Sequence, residues 1–123
     1  MTPTQLTIYL PIAVYSEANR RGSWRAHASR IATQRGHTKM IVLAELRKAA
    51  PDPKLLPKRI TLTRIAPRDL DSDNLAGAFK SIRDGIADAM GCDDSHRSGV
   101  LWHYTQERGK LKELAVRVVM DWE

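Results

Sequence analysis

A single cysteine, Cys92, occurs in the 123 residues, so no internal disulfide can form and a reducing compartment is expected. Long apolar runs are missing as well: none approaches the roughly 20 residues that cross a bilayer. The first ten residues lack a basic start followed by an apolar stretch, so no secretory leader is expected and the location is read as cytoplasmic. Glycines form no phosphate-cradling loop, which disfavours a nucleotide-driven enzyme. His27, His37, His96 and His103 have no zinc spacing, and one thiol does not make a structural zinc site. No histidine–cysteine arrangement marks Cys92 as a nucleophile, and a small packed residue is the simpler reading.

What is present is ordinary in hydrophobicity, at 42%, and of a length that supports one apolar core. A single domain over residues 1–123 is therefore expected. The charge is less ordinary. Net charge is +6, yet half of the fourteen acidic residues fall between Asp69 and Asp94, where only Lys80 and Arg83 are basic. The remainder carries eighteen basic against seven acidic groups. Such a body suits a polyanion, because each neutralised phosphate releases counterions. A generally basic, solvated surface would have the same composition. The acidic island is the sharper feature, since carboxylates repel phosphate unless a divalent cation stands between them.

Residues 4–10 (TQLTIYL) alternate Leu6, Ile8 and Leu10 with polar positions, the period of a strand with one buried face. Residues 16–23 read as a loop. From about Arg25 to Ala49 the chain is proline-free and rich in Ala, Arg, Lys and Leu, which predicts one long helix or two broken near Gly36. Pro51, Pro53 and Pro57 mark a linker. Residues 59–66 (RITLTRIA) give the clearest strand, stopped by Pro67. In residues 74–90 Leu75, Phe79, Ile82, Ile86 and Met90 recur at helical spacing, with Ser72 or Asp73 as N-cap and Gly91 past the C-terminus. Residues 100–106 and 113–122 read as two closing strands, joined as a hairpin through residues 107–112. The expected fold is α+β, in the order strand, helix, strand, helix, strand, strand, with helices packed on a mixed sheet.

The chemistry centres on Asp69-Leu70-Asp71-Ser72-Asp73-Asn74, between a strand end and a helix start. Aspartates at alternate loop positions can converge on one hard cation, which takes oxygen ligands. They can equally cap and turn. Asp93 and Asp94 form a second acidic pair past the same helix, and a helix of about 17 residues is about 25 Å long. Asp94 meets Asp71 only if the chain returns, if the helix starts later or ends earlier than this, or if a partner subunit supplies it. Gly77 and Lys80 share the helix face opposite Phe79: Lys80 can stabilise charge on a phosphate, or pair with Asp84 one turn on. Arg20, Arg21, Arg25, Arg30 and Arg68 can track a DNA backbone. Trp24, Trp102 and Tyr104 can stack on bases or simply pack.

The run Asp71-Ser72-Asp73-Asn74-Leu75, then residues 79–86 (FKSIRDGI), then Gly91-Cys92-Asp93-Asp94, resembles the RusA-type Holliday-junction resolvases of phages and prophages. The likeness spans roughly residues 60–122 and holds only in outline before that. It implies a homodimeric, magnesium-dependent endonuclease (manganese as an alternative ion) that nicks branched, four-way DNA in recombination and repair. Asp71, Asp73 and Asp94 would then be metal ligands and catalytic residues. The family lysine position falls on Gly77 here, so Lys80, one turn later, is the residue that would take its role. The rival readings are a DNA-binding module without catalysis and a metal-dependent enzyme of smaller phosphorylated substrates.

Overall fold

The alternation of residues 4–10 becomes strand β1 (Gln5–Leu10), with Ile8 and Leu10 buried and Thr7 and Tyr9 outward. The structure, a computed structural model, describes residues 3–14, 23–92, 98–110 and 112–123; of Ser72 and Asp73 it describes the backbone alone. After β1 come helix α1 (Trp24–Ala49), strand β2 (Arg59–Ala66), helices α2 (Ser72–Ala78) and α3 (Lys80–Met90), and strands β3 (Leu101–Arg108) and β4 (Ala115–Asp121). The fold is α+β: four strands form one mixed sheet in the order β1-β4-β2-β3.

Helix α1 is unbroken through Gly36. Ser23 caps it by accepting from the Ala26 amide at 3.2 Å, and Ala50, in the left-handed region, ends it. The second helical stretch departs from the single helix expected over residues 74–90. It begins earlier, at Ser72, and is divided at Phe79, whose backbone sits at φ −87°, ψ −2°. Phe79 is fully buried and its ring stacks on Tyr104 of β3, with centroids 5.6 Å apart. Gly91 ends α3 at φ +67°. The Gly91 amide bonds to Asp88 O and the Cys92 amide to Ala87 O, the paired bonds of a Schellman stop.

The hairpin expected between the last two strands is not formed. β3 lies parallel to β2, whereas β4 pairs antiparallel with both β1 and β2. The connection crosses the carboxyl end of β2, where the Gly109 amide donates to Ala66 O at 3.0 Å. Burial explains the insertion: in β4, Ala115, Val116, Val118 and Met120 are all buried, a composition suited to a strand with neighbours on both edges.

The three described helices lie on one face of the sheet. Ile8, Leu10, Ile60, Leu62, Val116, Val118 and Met120 meet Val42, Phe79, Ile82 and Ile86 in one hydrophobic cluster. α1 and α3 pack closely because Gly85 has no side chain: a Cβ there would stand 2.5 Å from Arg35 O and 2.9 Å from Thr38 Cβ. Arg35 then makes a bidentate pair with Asp88, at 2.7 and 2.9 Å. The opposite sheet face, with Tyr9, Arg117, Thr63 and Thr105 side by side in one register row, carries no helix among the described residues. No helix among them is long and apolar enough to cross a membrane.

Candidate metal and nucleic-acid site

β1, β2 and β3 run in one direction and β4 against them, so Leu10, Ala66 and Arg108 end at the same edge of the sheet. In open α/β sheets that edge, outside the carboxyl ends of parallel strands, is where ligands collect. The Asp69–Asp71 stretch follows β2 at this edge and leads into α2.

The edge is built by two polar side chains where the strand pattern calls for apolar ones. Leu10, Val116, Arg64 and Gln106 form one register row. On β2 the inward phase Ile60, Leu62 continues to Arg64; on β3 the phase Trp102, Tyr104 continues to Gln106. Arg64 is buried, and a buried guanidinium requires acceptors. It finds Val14 O at 2.9 Å through Nε and Arg68 O at 2.6 Å through a terminal nitrogen. Gln106 holds Leu70 by both backbone groups: the Leu70 amide donates to Oε1 at 2.9 Å, and Nε2 donates to Leu70 O at 2.8 Å. The side-chain amide thus pairs with the loop as an adjacent strand would. Leu70 lies between Asp69 and Asp71, so the clamp fixes the backbone that carries both.

A third anchor comes from α1. Gln34 donates to Ala13 O at 3.0 Å and accepts a hydrogen bond from Ser81 Oγ, joining the segment after β1 to the start of α3. Asp69 faces Arg108 at 3.6 Å, an exposed pair of small energetic weight.

Asp71, rather than Ser72 or Asp73, is the N-cap of α2. It has φ −60° and ψ 143°, and its carbonyl accepts from the Asn74 amide at 2.9 Å. Its side chain makes no cap hydrogen bond, and the residue is exposed. A pure capping role for this carboxylate is therefore not what the geometry contains. The side chain of Asp73 and the whole of Asp93 and Asp94 lie outside the described residues, as do Arg20 and Arg21. Among the described residues no group of three or more His, Cys, Asp or Glu side chains is poised around a metal ion.

Lys80 is exposed on α3 and reaches Asp84 Oδ1 at 2.9 Å and Oδ2 at 3.2 Å, the one-turn pair. Asp84 also lies 3.9 Å from Arg35. Space is open around Gly77, one turn before Lys80. Arg25 and Arg68 are exposed. Two of the three candidate stacking aromatics are occupied. Arg83 lies over the Trp102 ring, 4.9 Å from its centroid, and donates to the Tyr104 hydroxyl at 2.6 Å. Tyr104 in turn stacks on Phe79.

Asp88, behind this edge, has its carboxyl held below the usual carboxylate range, chiefly by the hydrogen bonds from Arg35. Neither Gln106 nor Gln34 stands out in the sequence by type. The readable signal is the simultaneous break of apolar phase in β2 and β3, at Arg64 and Gln106, which only the register aligns. Comparison of the chain with known protein families and with curated proteins finds no match.

Proposed function

We propose that this chain is a divalent-metal-dependent endodeoxyribonuclease of branched DNA, resolving four-way junctions by paired nicks as RusA-type resolvases do. Asp71, Asp73 and Asp94 would hold the ion, Mg²⁺ or Mn²⁺, with Asp94 drawn from the same chain or across a homodimer. The ion would supply an activated water and a counter-charge on the scissile phosphate. A cytoplasmic setting in a bacterial host goes with this reading.

The observation that carries it is Asp71. Its carboxylate stands at a helix N-cap without capping, exposed, on backbone that Gln106 holds through Leu70. Carboxylate oxygens held ready at low conformational cost are what a hard cation requires. The surroundings support an anionic polymer as substrate: Arg25 and Arg68 are exposed, and the chain outside the acidic island is strongly basic. Within this scheme Asp71 and Asp73 orient the ion, Lys80 meets charge on the phosphate, and the arginines hold the flanking backbone.

A second reading, a DNA-binding module without catalysis, draws on the pairing of Lys80 with Asp84. A labelled synthetic four-way junction incubated with Mg²⁺, beside an EDTA control and a linear duplex of equal length, separates the two. The nuclease reading expects symmetric nicks in the junction with Mg²⁺ only. Binding without nicks at any metal concentration gives the site to the module, and no binding removes both.

A further inference from the structure

With Trp102 and Tyr104 occupied by Arg83 and Phe79, Trp24 remains of the three candidate stacking aromatics. It is 76% exposed. An indole spread on the surface is unusual, because Trp is highly buried on average. Its backbone is anchored: Ser23 caps the turn that begins with Trp24, so the side chain projects from capped helix.

Its position follows from the helix packing. Along α1, Gln34 meets Ser81, Arg35 meets Asp88, and Leu43 and Leu46 line a cavity with Met90. α1 and α3 therefore run in the same direction. Gln34 is level with the start of α3, and the ten residues before it extend about 15 Å further. That extension points toward the end of the molecule where α2 begins and Asp71 lies. Its charge is of one sign: the ionised side chains among residues 24–33 are Arg25 and Arg30, and the first acidic residue of α1 is Glu45.

We propose that Trp24 is a stacking platform for an unpaired base of DNA, with the exposed Arg25 beside it neutralising an adjoining phosphate. The pairing of an open π-face with adjacent positive charge fits single-stranded or branch-point DNA. In a continuous duplex both faces of each base are covered, so Trp24 would favour branched over linear substrate. This inference rests on the nucleic-acid reading above and adds the feature of the substrate that is recognised.

The test is fluorescence anisotropy of three labelled probes, a single-stranded 20-mer, a four-way junction and a blunt linear duplex, against wild type, Trp24→Ala and Trp24→Phe. Trp24→Ala should weaken binding of the single strand and the junction about tenfold, within the range expected for one stacked base. Its duplex affinity should change less than twofold, and Trp24→Phe should recover most of the loss. Intrinsic emission of the wild type should fall on adding the single strand, and this fall should vanish in Trp24→Ala. Equal losses on all three probes, or no loss, overturn the proposal. So does a blue shift of Trp24 emission with protein concentration alone, which assigns the ring to a second copy. A blue shift on phosphatidylglycerol–phosphatidylcholine vesicles without quenching by DNA likewise overturns it. If the wild type binds none of the probes, the nucleic-acid reading itself falls; if it binds and Trp24→Ala binds equally well, only the stacking role does.

Discussion

An aspartate at a helix N-cap ordinarily accepts a hydrogen bond from the N2 or N3 amide, and removing it costs about 1 kcal/mol. Asp71 holds that position with its side chain otherwise directed. Asp71→Ala should therefore leave the thermal midpoint within a degree or two of wild type, while Mg²⁺-dependent nicking is lost and junction binding is kept. A drop of several degrees would return the residue to a capping role. Gln106 acts at one remove, through the backbone of Leu70. Gln106→Ala leaves a half-buried amide and carbonyl without these partners, and about 1–3 kcal/mol of stability should be lost in denaturant unfolding. If the clamp positions the metal-binding loop, the Mg²⁺ concentration for half-maximal nicking should also rise severalfold in the fraction that is folded. An unchanged Mg²⁺ requirement would make Gln106 a structural residue only. At this scale the sequence was informative about residue type and silent about pairing. The aspartates stand out by spacing, whereas Arg64 and Gln106 look like unremarkable strand positions until β2 and β3 are set side by side.

Elements fixed by a strong local period were legible: the alternation in β1 and β2, the apolar stripe of α3, and the glycine stop at Gly91 each appear where the pattern puts them. What local pattern does not encode is which strand neighbours which. The turn-rich residues 107–112 suggest a hairpin, yet the connection passes over the end of β2 and β4 inserts between β1 and β2, where its apolar content is best buried. The division at Phe79 is likewise tertiary, tied to the stack on Tyr104. The α1–α3 contact supplies two tests. Gly85→Ala drives a methyl group into Arg35 O and Thr38. Overpacking of this kind destabilises by about 1–3 kcal/mol, and the thermal midpoint should fall accordingly; an unchanged midpoint would mean that the two helices separate at no cost. The second test is pH. Asp88 has a lowered folded-state pKa through Arg35, so its contribution is present above the ordinary carboxylate range and is lost as pH falls through the folded value. Arg35→Gln should thus lower stability slightly near neutrality, and the difference from wild type should shrink in acid below about pH 4. A difference that stays constant with pH would remove the ion pair from the account.

At the scale of the molecule, the Asp69–Asp71 stretch follows β2 at the edge where the carboxyl ends of three strands meet, and α1 extends past the start of α3 toward that same end. Carboxylates repel DNA unless a cation mediates, which is why the two acidic stretches of the sequence are proposed as one metal site. The measurement that tests this most directly is Mn²⁺ binding followed by electron paramagnetic resonance in wild type, Asp71→Asn, Asp94→Asn and, as a distant control, Asp52→Asn. Saturable binding is expected in the wild type, weakened tenfold or more by either of the first two substitutions and unaffected by the third. Binding that is absent in the wild type, or that ignores Asp71 and Asp94 alike, would contradict it.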